Sequence, residues 1–283
     1  MLVPAVDGQS GKSASPERLY LDLLKKCLTR SIFGERYVVN PPRHEGKVIM
    51  ALVHKIFAPV PITVVTRAPV DPEVRAEGGD WPEEAETMVG LRRLDALQEC
   101  IEDVLQQGVP GDFIETGVWR GGASIFMRAV LKAYGDTRRT VWLADSFQGL
   151  PKPNPETFPM DADYDYTEFS ELAVSLDQVK ANFERYGLLD EQVRFLVGWF
   201  RDTLPVAPIQ QLAILRLDGD LYESTMDAFR SLYAKLSPGG YVIVDDYMSV
   251  PVCTQAVHDY RAEHDISEAI TRTGKYGCYW RRK

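Results

Sequence analysis

The sequence predicts an α/β fold, with a doubly wound and mostly parallel sheet behind an N-terminal accessory segment. The first observation is that, from residue 112 onward, short apolar runs alternate with glycine turns and helical segments. This alternation is typical of a parallel sheet with helices on both faces. The second observation is that several of these runs end in acidic residues, and ligands of such sheets bind at the carboxyl ends of the strands.

The region before the sheet divides into a tail and a lid segment. Residues 1–16 are predicted to be disordered because Gly, Ser, Lys and Pro dominate them. Residues 17–82 are predicted to form a helical lid segment, broken by prolines after residue 38. Its first helix, from residue 17 to 33, has an apolar stripe at helical spacing, namely Leu21, Leu24, Leu28 and Ile32.

Residues 83–283 are predicted to form the main domain. It opens with the helix EEAETMVGLRRLDALQECIEDVLQQG, which Gly108 and Pro110 end. The strands that follow are predicted, in order, at DFIET, TVWLAD, QVRFLVG, LAILRLD, GYVIVDD and GCYWRRK. Helices are predicted between them at SIFMRAVLKAYG, DQVKANFERYG, MDAFRSLYAKL and TQAVHDYRAEH.

Composition excludes several classes of protein. The net charge is −9 without a Lys/Arg stripe, which makes a nucleic-acid partner unlikely. No apolar run approaches the roughly 20 residues of a membrane span, and the N-terminus lacks the apolar core of a signal peptide, so we expect a cytoplasmic protein without a membrane partner. The four cysteines show no CxxC spacing and are expected to be reduced, and the histidines show no zinc-binding pair.

The ends of the first three strands are typical of a nucleoside-cofactor site. Glu115 ends the first strand ahead of a glycine turn, Asp145 ends the second and can accept the ribose hydroxyls, and the third leads into residues that could flank an adenine ring, namely Gly198, Trp199 and Asp202. A plain tight turn, a capping aspartate and a core tryptophan are the alternatives.

The glycine spacing distinguishes two kinds of cofactor. Gly117, Gly121 and Gly122 depart from the G-x-G-x-x-G pattern of dinucleotide sites. S-adenosyl-L-methionine has no phosphate, and its ammonium group would be neutralised by Glu115. The segment KLSPGGYVIVDD joins the end of a helix to a Pro-Gly-Gly turn and an apolar strand that ends in acids. This pattern is frequent at the fifth strand of methyltransferases that use S-adenosyl-L-methionine, and it favours this cofactor.

Two pairs of acids end the fourth and fifth strands. Asp218 and Asp220 follow LAILRL, and Asp245 and Asp246 follow GYVIV. Such a cluster repels itself unless a cation is present, and oxygen ligands without His or Cys indicate Mg²⁺ before Mn²⁺ or Ca²⁺. Metal coordination lowers the pKa of a hydroxyl, and a neighbouring carboxylate can then take the proton during methyl transfer. The alternative is that one acid is a ligand while the others cap helices or pair with an arginine, Arg216 or Arg261.

Taken in order, several segments resemble the macrocin O-methyltransferase family over residues 17–282: ETMVGLRRLDALQ, GDFIETGVWRGGASIF, VWLADSFQGLPKP, RYGLLDEQVRFLVGWFRDTLP, LAILRLDGDLYESTMD and LSPGGYVIVDDY. The resemblance implies a Rossmann-like methyltransferase sheet. It also implies an enzyme, commonly dimeric, that uses S-adenosyl-L-methionine and Mg²⁺ to methylate sugar hydroxyls of antibiotics of the macrolide or aminocoumarin type.

The resemblance also implies roles for individual residues. Mg²⁺ would be held by Asp218, Asp245 and Asp246, and Asp220 would be the general base. The cofactor would be bound by Thr87, Met88, Glu115, Thr116, Gly117, Arg120, Gly121, Ser124, Asp145, Ser146, Gly198, Trp199 and Asp218. The acidic, aromatic stretch 150–169 would help to cover the site.

Two other functions fit parts of the sequence. A metal-dependent nucleotide-sugar glycosyltransferase would explain the D-x-D pair but not Glu115 with Asp145. A non-catalytic cofactor-binding subunit would leave the acid cluster unexplained. We expect a homodimer, with residues 17–82 at the interface or over the partner's site; the alternative is that the leucine stripe packs on its own domain. The sequence leaves the acceptor sugar open.

Overall fold

The computed structural model describes residues 15–39, Lys55 and 65–283, and its centre is a seven-stranded sheet in the order β5-β4-β3-β6-β7-β9-β8. Strands β3 to β7 are parallel, while β9 is antiparallel to both β7 and β8. The strands are β3 Asp112–Thr116, β4 Val141–Asp145, β5 Val193–Val197, β6 Leu212–Leu217, β7 Leu236–Val244, β8 Thr271–Thr273 and β9 Gly277–Arg281. The predicted fold class is confirmed, and β8 is a strand that the sequence patterns did not indicate.

Helices cover both faces of this sheet. The helices are α1 Pro16–Leu28, α2 Pro72–Glu77, α3 Leu91–Gln106, α4 Gly122–Ala133, α5 Leu176–Arg185, α6 Phe200–Thr203, α7 Tyr222–Leu232 and α8 Pro251–Glu263. Two apolar clusters fill the two sides of the sheet, one around Phe113 and Phe126 and the other around Phe229 and Trp280. No helix in the described ranges has the length and apolar character of a bilayer span.

The first helix packs on its own chain. Leu21, Leu24 and Leu28 are buried against α3 and α4. This agrees with the alternative stated for the leucine stripe, that it packs on its own domain and not at an interface. The helix ends at Leu28 rather than at residue 33, so Ile32 lies beyond it and is exposed.

The accessory segment also contains strands, which the expectation of helices and loops missed. β1 (Glu35–Val39) and β2 (Val65–Pro69) pair in an antiparallel sheet of their own. The predicted tail lies outside the described residues, apart from Ser15 and Pro16; Ser15 caps α1 and Pro16 is its first residue.

The predicted helix from residue 83 begins only at Leu91. Gly90 caps it in an extended conformation, and a Cβ at Gly90 would lie 2.3 Å from the amide nitrogen of Gly78. Residues 83–89 therefore form a loop, which brings Thr87 and Met88 to the carboxyl end of the sheet. The prediction that these two residues lie on a helix is wrong.

Candidate active site

The order of the strands changes direction between β3 and β6, and a cleft of about 790 Å³ opens beside this point. Open α/β sheets bind ligands at such switch points. Gly117 makes the close approach of the two strand ends possible. Its φ is 89°, and a Cβ there would lie 1.7 Å from the carbonyl oxygen of Asp218.

Seven of the predicted cofactor residues line this cleft: Met88, Gly117, Asp145, Ser146, Gly198, Trp199 and Asp218. The carboxylate of Asp145 is fixed by the amides of Val118 and Phe147, each at 2.7 Å. Burial raises the pKa of Asp145. Ser146 donates to the carbonyl of Gly149 at 2.8 Å and thereby shapes the following turn.

The other predicted cofactor residues lie elsewhere. Arg120 donates to the carbonyls of Glu83 and Ala85, at 2.6 and 3.0 Å, and so holds the loop before α3. The residues that line neither this cleft nor the neighbouring cavity are Thr116, Arg120, Gly121 and Ser124. Asp202, predicted beside the adenine, is exposed and does not line the cleft.

The two acid pairs meet in a second cavity of about 1080 Å³. Leu217 of β6 pairs with Val244 of β7, so the residues that follow them, Asp218 and Asp245, emerge side by side. Asp218 and Asp220 line both cavities and mark their junction.

A buried arginine lies behind these acids. Arg216 is 1% exposed and donates to three carboxylates: Glu115 at 2.6 Å, Asp218 at 2.7 Å and Asp245 at 2.5 Å. Burial alone would lower the pKa of Arg216, but the three carboxylates outweigh this effect, so its pKa is raised. The pairing with Arg216 foreseen as an alternative is therefore present.

Glu115 does not face the cofactor cleft. Its oxygens accept from Arg216 and from Ser124, and it lines the second cavity. Burial raises its pKa to about 7. The expected contact between Glu115 and the ammonium group of the cofactor therefore has no support from the lining of the first cleft.

Three of the acids lie close enough together to share a cation. One oxygen from each of Asp218, Asp245 and Asp246 lies within 4.8 Å of the others. Arg93 and Arg216 share Asp245, so two guanidinium groups balance only part of the charge of the five carboxyl groups, those of Glu115, Asp218, Asp220, Asp245 and Asp246.

The chemistry of the three aspartates fits a hard dication. Asp246 Oδ2 is buried and accepts no hydrogen bond from the residues that the structure describes. Such a buried acceptor is costly unless a ligand satisfies it. Burial, followed by the charge of Asp220, raises the pKa of Asp246 well above its ordinary value. Mg²⁺ accepts a set of this kind, which contains oxygen ligands only.

Asp220 follows the end of β6 in a left-handed backbone conformation. Its φ is 57°, in the left-handed region that is uncommon outside glycine. Burial, followed by the charges of Asp218 and Asp245, raises its pKa to about 7. Its carboxyl group stands where the two cavities meet, which is the position that a proton acceptor for a bound hydroxyl needs.

Several lining residues escaped the sequence patterns. They are Trp81, Arg93, Trp119, Leu172, Phe200 and Tyr276. Tyr166 and Phe169 also line the second cavity, and they belong to the stretch 150–169 that was expected to help to cover the site. Arg216 was weighed only as an alternative partner. The sequence did contain a signal for the role of Arg216, because this residue interrupts the apolar run LAILRL. A charge in a buried strand needs a partner of opposite charge, so nearby carboxylates were to be expected.

The sheet order and this site define a class of enzyme. The solved structure of the O-methyltransferase NovP is similar over 94% of this chain and 99% of its own, with 46% identity and a TM-score of 0.81. The calicheamicin methyltransferase CalS11 shares the fold over 99% of both chains, with 18% identity and a TM-score of 0.54. The chain is an O-methyltransferase with a Rossmann-like sheet.

The family follows from the sequence match. The macrocin-O-methyltransferase (TylF) model matches residues 17–282, and the chain belongs to this family. It is 53% identical to the 8-demethyl-8-(2,3-dimethoxy-alpha-L-rhamnosyl)-tetracenomycin-C 4'-O-methyltransferase of Streptomyces olivaceus, over 93% of this chain and 92% of the relative. It is 48% identical to the mycinamicin III 3''-O-methyltransferase of Micromonospora griseorubida, over 93% and 96%. These matches do not support the glycosyltransferase alternative.

Proposed function

We propose that this protein transfers a methyl group from S-adenosyl-L-methionine to a sugar hydroxyl of a glycosylated natural product and that the reaction needs Mg²⁺. The observation that carries the proposal is the junction of the two cavities, where three aspartates converge beside the cofactor cleft. The names of the relatives support the acceptor class, because they specify a rhamnosyl tetracenomycin and mycinamicin III.

The roles of this chain's residues follow from their positions. Asp145 accepts from the ribose of the cofactor, and Trp199 borders the base. Asp218, Asp245 and Asp246 hold Mg²⁺, which when bound lowers the pKa of an acceptor hydroxyl. Asp220 takes the proton of that hydroxyl as the oxygen attacks the methyl carbon, while the bond from this carbon to the sulfonium sulfur breaks and S-adenosylhomocysteine leaves. The walls of the two cavities hold the reactants in line, which is the main requirement of methyl transfer.

The test is an assay with methyl-labelled cofactor and glycosylated antibiotic precursors as acceptors. We expect label in the sugar, loss of turnover with EDTA and recovery with Mg²⁺. Methyl transfer that survives complete chelation would remove the metal from the proposal. Absence of transfer to every glycoside would remove the acceptor class.

Asp145 provides a prediction for the cofactor. Asp145→Ala should weaken binding of S-adenosylhomocysteine about tenfold or more, because a hydrogen bond to a charged group contributes ~1.5–3 kcal/mol. Calorimetry measures this, with Asp163→Ala as a control, since Asp163 is exposed and lines neither cavity. Unchanged affinity in Asp145→Ala would exclude this residue from the ribose site.

We also propose a cytoplasmic homodimer. The four cysteines, Cys27, Cys100, Cys253 and Cys278, are free, which fits a reducing compartment. The outer face of α1 leaves Leu19 and Leu23 more than half exposed, at 59% and 52%, and supports an interface there. Light scattering should give a molecular mass of two chains for the parent. The double variant Leu19→Asp, Leu23→Asp should have the mass of a single chain. A parent protein that is monomeric at working concentration would contradict the dimer.

A further inference from the structure

The acid-lined cavity has an aromatic side that the proposed chemistry does not use. Trp81 and Phe169 stack with ring centroids 6.3 Å apart and an interplanar angle of 22°, and Tyr166 lies 6.2 Å from Phe169. These three residues, here called the aromatic wall, all line the second cavity. Trp81 and Phe169 remain 40% and 48% exposed, so much of their ring surface is available to an occupant.

The wall shares its cavity with the four aspartates of the proposed reacting centre. Burial, followed by the charge of Asp220, raises the pKa of Tyr166 to about 12, and Asp246 adds to this effect. The phenol therefore lies within the field of the proposed base and of a proposed metal ligand. The lining of the cavity combines acids with aromatic rings, which matches an occupant that carries both hydroxyl groups and an apolar ring.

The loop that carries Tyr166 and Phe169 is anchored on both sides of them. Before them, the fully buried Asp161 accepts from the amides of Tyr222 and Glu223, at 2.8 and 3.0 Å. It thereby caps α7, which has no capping side chain of its own. After them, the Trp119 indole donates to the carbonyl of Glu171 at 2.8 Å. The loop that supplies Tyr166 and Phe169 is therefore held on both sides of these residues.

The charges of the cavity favour an uncharged occupant. Among the described residues that line it, Arg93 is the one cation, and Asp245 already binds its guanidinium group. The proposed Mg²⁺ would neutralise only part of this acidic lining, and the described lining offers no unpaired cation to the phosphates of a nucleotide-activated sugar. An uncharged glycoside needs no such cation, and its sugar can direct a hydroxyl to Asp220.

Resting on the proposed function, we propose that the aromatic wall is a subsite for a planar apolar ring attached to the sugar of an uncharged acceptor. Aromatic pairs in offset or edge geometry contribute ~0.5–1.5 kcal/mol beyond the burial of area, which corresponds to about two- to tenfold in affinity. The subsite thus selects glycosides by the group next to the sugar, while the acids act on the sugar itself.

Two ligands that differ only in this ring test the proposal. Phenyl α-L-rhamnoside and methyl α-L-rhamnoside are titrated by ligand-observed NMR into the protein loaded with S-adenosylhomocysteine and Mg²⁺. The parent should prefer the phenyl glycoside about five- to tenfold. Trp81→Ala and Phe169→Ala should each reduce this preference to about twofold or less and leave the affinity for the methyl glycoside unchanged, while Trp81→Phe should restore most of it.

The control is Phe33→Ala, which removes an exposed aromatic side chain that lines neither cavity. This variant should keep the full preference, and all variants should bind S-adenosylhomocysteine as the parent does. Equal affinity of the parent for the two glycosides, including binding of neither, would overturn the subsite, and so would a preference that survives both alanine variants. Absence of methyl transfer with normal phenyl preference would instead count against the proposed function.

Discussion

Replacing Asp220 with asparagine is expected to lower kcat by ~10²–10⁴, the usual contribution of a general base, while metal and cofactor still bind. The amide keeps the size of the side chain and its place at the junction of the cavities, but it cannot take a proton. The residue lines both cavities, which is the position that the proposed transfer between a donor in one and an acceptor in the other requires. Single-turnover rates at saturating substrate measure this loss.

Asp218→Asn is the matched comparison. It removes a proposed metal ligand two residues away, so excess Mg²⁺ should recover part of its rate but none of the rate lost in Asp220→Asn. If both variants respond alike, both aspartates are ligands and another base is needed. The histidine of α8, His258, does not fit the role of that base. Its Nε2 forms a hydrogen bond with the hydroxyl of Tyr247 at 3.0 Å, and the residue lines neither cavity.

Arg216→Leu is expected to reduce the free energy of unfolding by ~3–5 kcal/mol, since removal of one member of a buried ionic cluster leaves its partners uncompensated. Three carboxylates depend on this guanidinium group, those of Glu115, Asp218 and Asp245. Urea denaturation in EDTA measures the change.

The pH dependence has a definite sign. Without Arg216 the pKa of Glu115, already about 7, should rise further above that of the unfolded chain. The folded state then holds protons that the unfolded state has lost, so the stability of the variant falls as pH rises above about 4.5. Arg92→Leu is the control, because Arg92 is 51% exposed and surface pairs contribute little, about 1 kcal/mol or less. Equal losses in the two variants would contradict the central role of Arg216.

The sequence allowed prediction of the strand ends but not of the charges behind them. The apolar runs and the turn residues predict that Asp145, Asp218, Asp245 and Asp246 stand at strand ends. In the structure, the parallel pairing of β6 with β7 brings the last three together. Local patterns carry no information on which carboxylates an inward-facing arginine will reach. For the same reason they could not show that Glu115 lines the second cavity and not the cofactor cleft.

Errors arose where tertiary contacts decide the local structure. Residues 83–89 have the composition of a helix, yet they form a loop. The close packing of Gly90 on Gly78 makes the helix begin only at Leu91, after these residues. The resemblance implies a cofactor role for Arg120; in the structure its side chain donates to carbonyls of the loop 83–89 and lines neither cavity. The aromatic wall joins Trp81 to Phe169 across 88 positions, and no periodicity links such residues.

The central claim is that Asp218, Asp245 and Asp246 hold a dication at the junction of the cavities. Calorimetric titration of Mg²⁺ into the parent, into Asp246→Asn and into the control Asp163→Asn tests it most directly. Asp246 is the informative position, because its Oδ2 has no partner among the described residues. We expect one ion per chain in the parent and control, and an affinity lower by about tenfold or more in Asp246→Asn. No binding to the parent, or equal binding to all three proteins, would contradict the account.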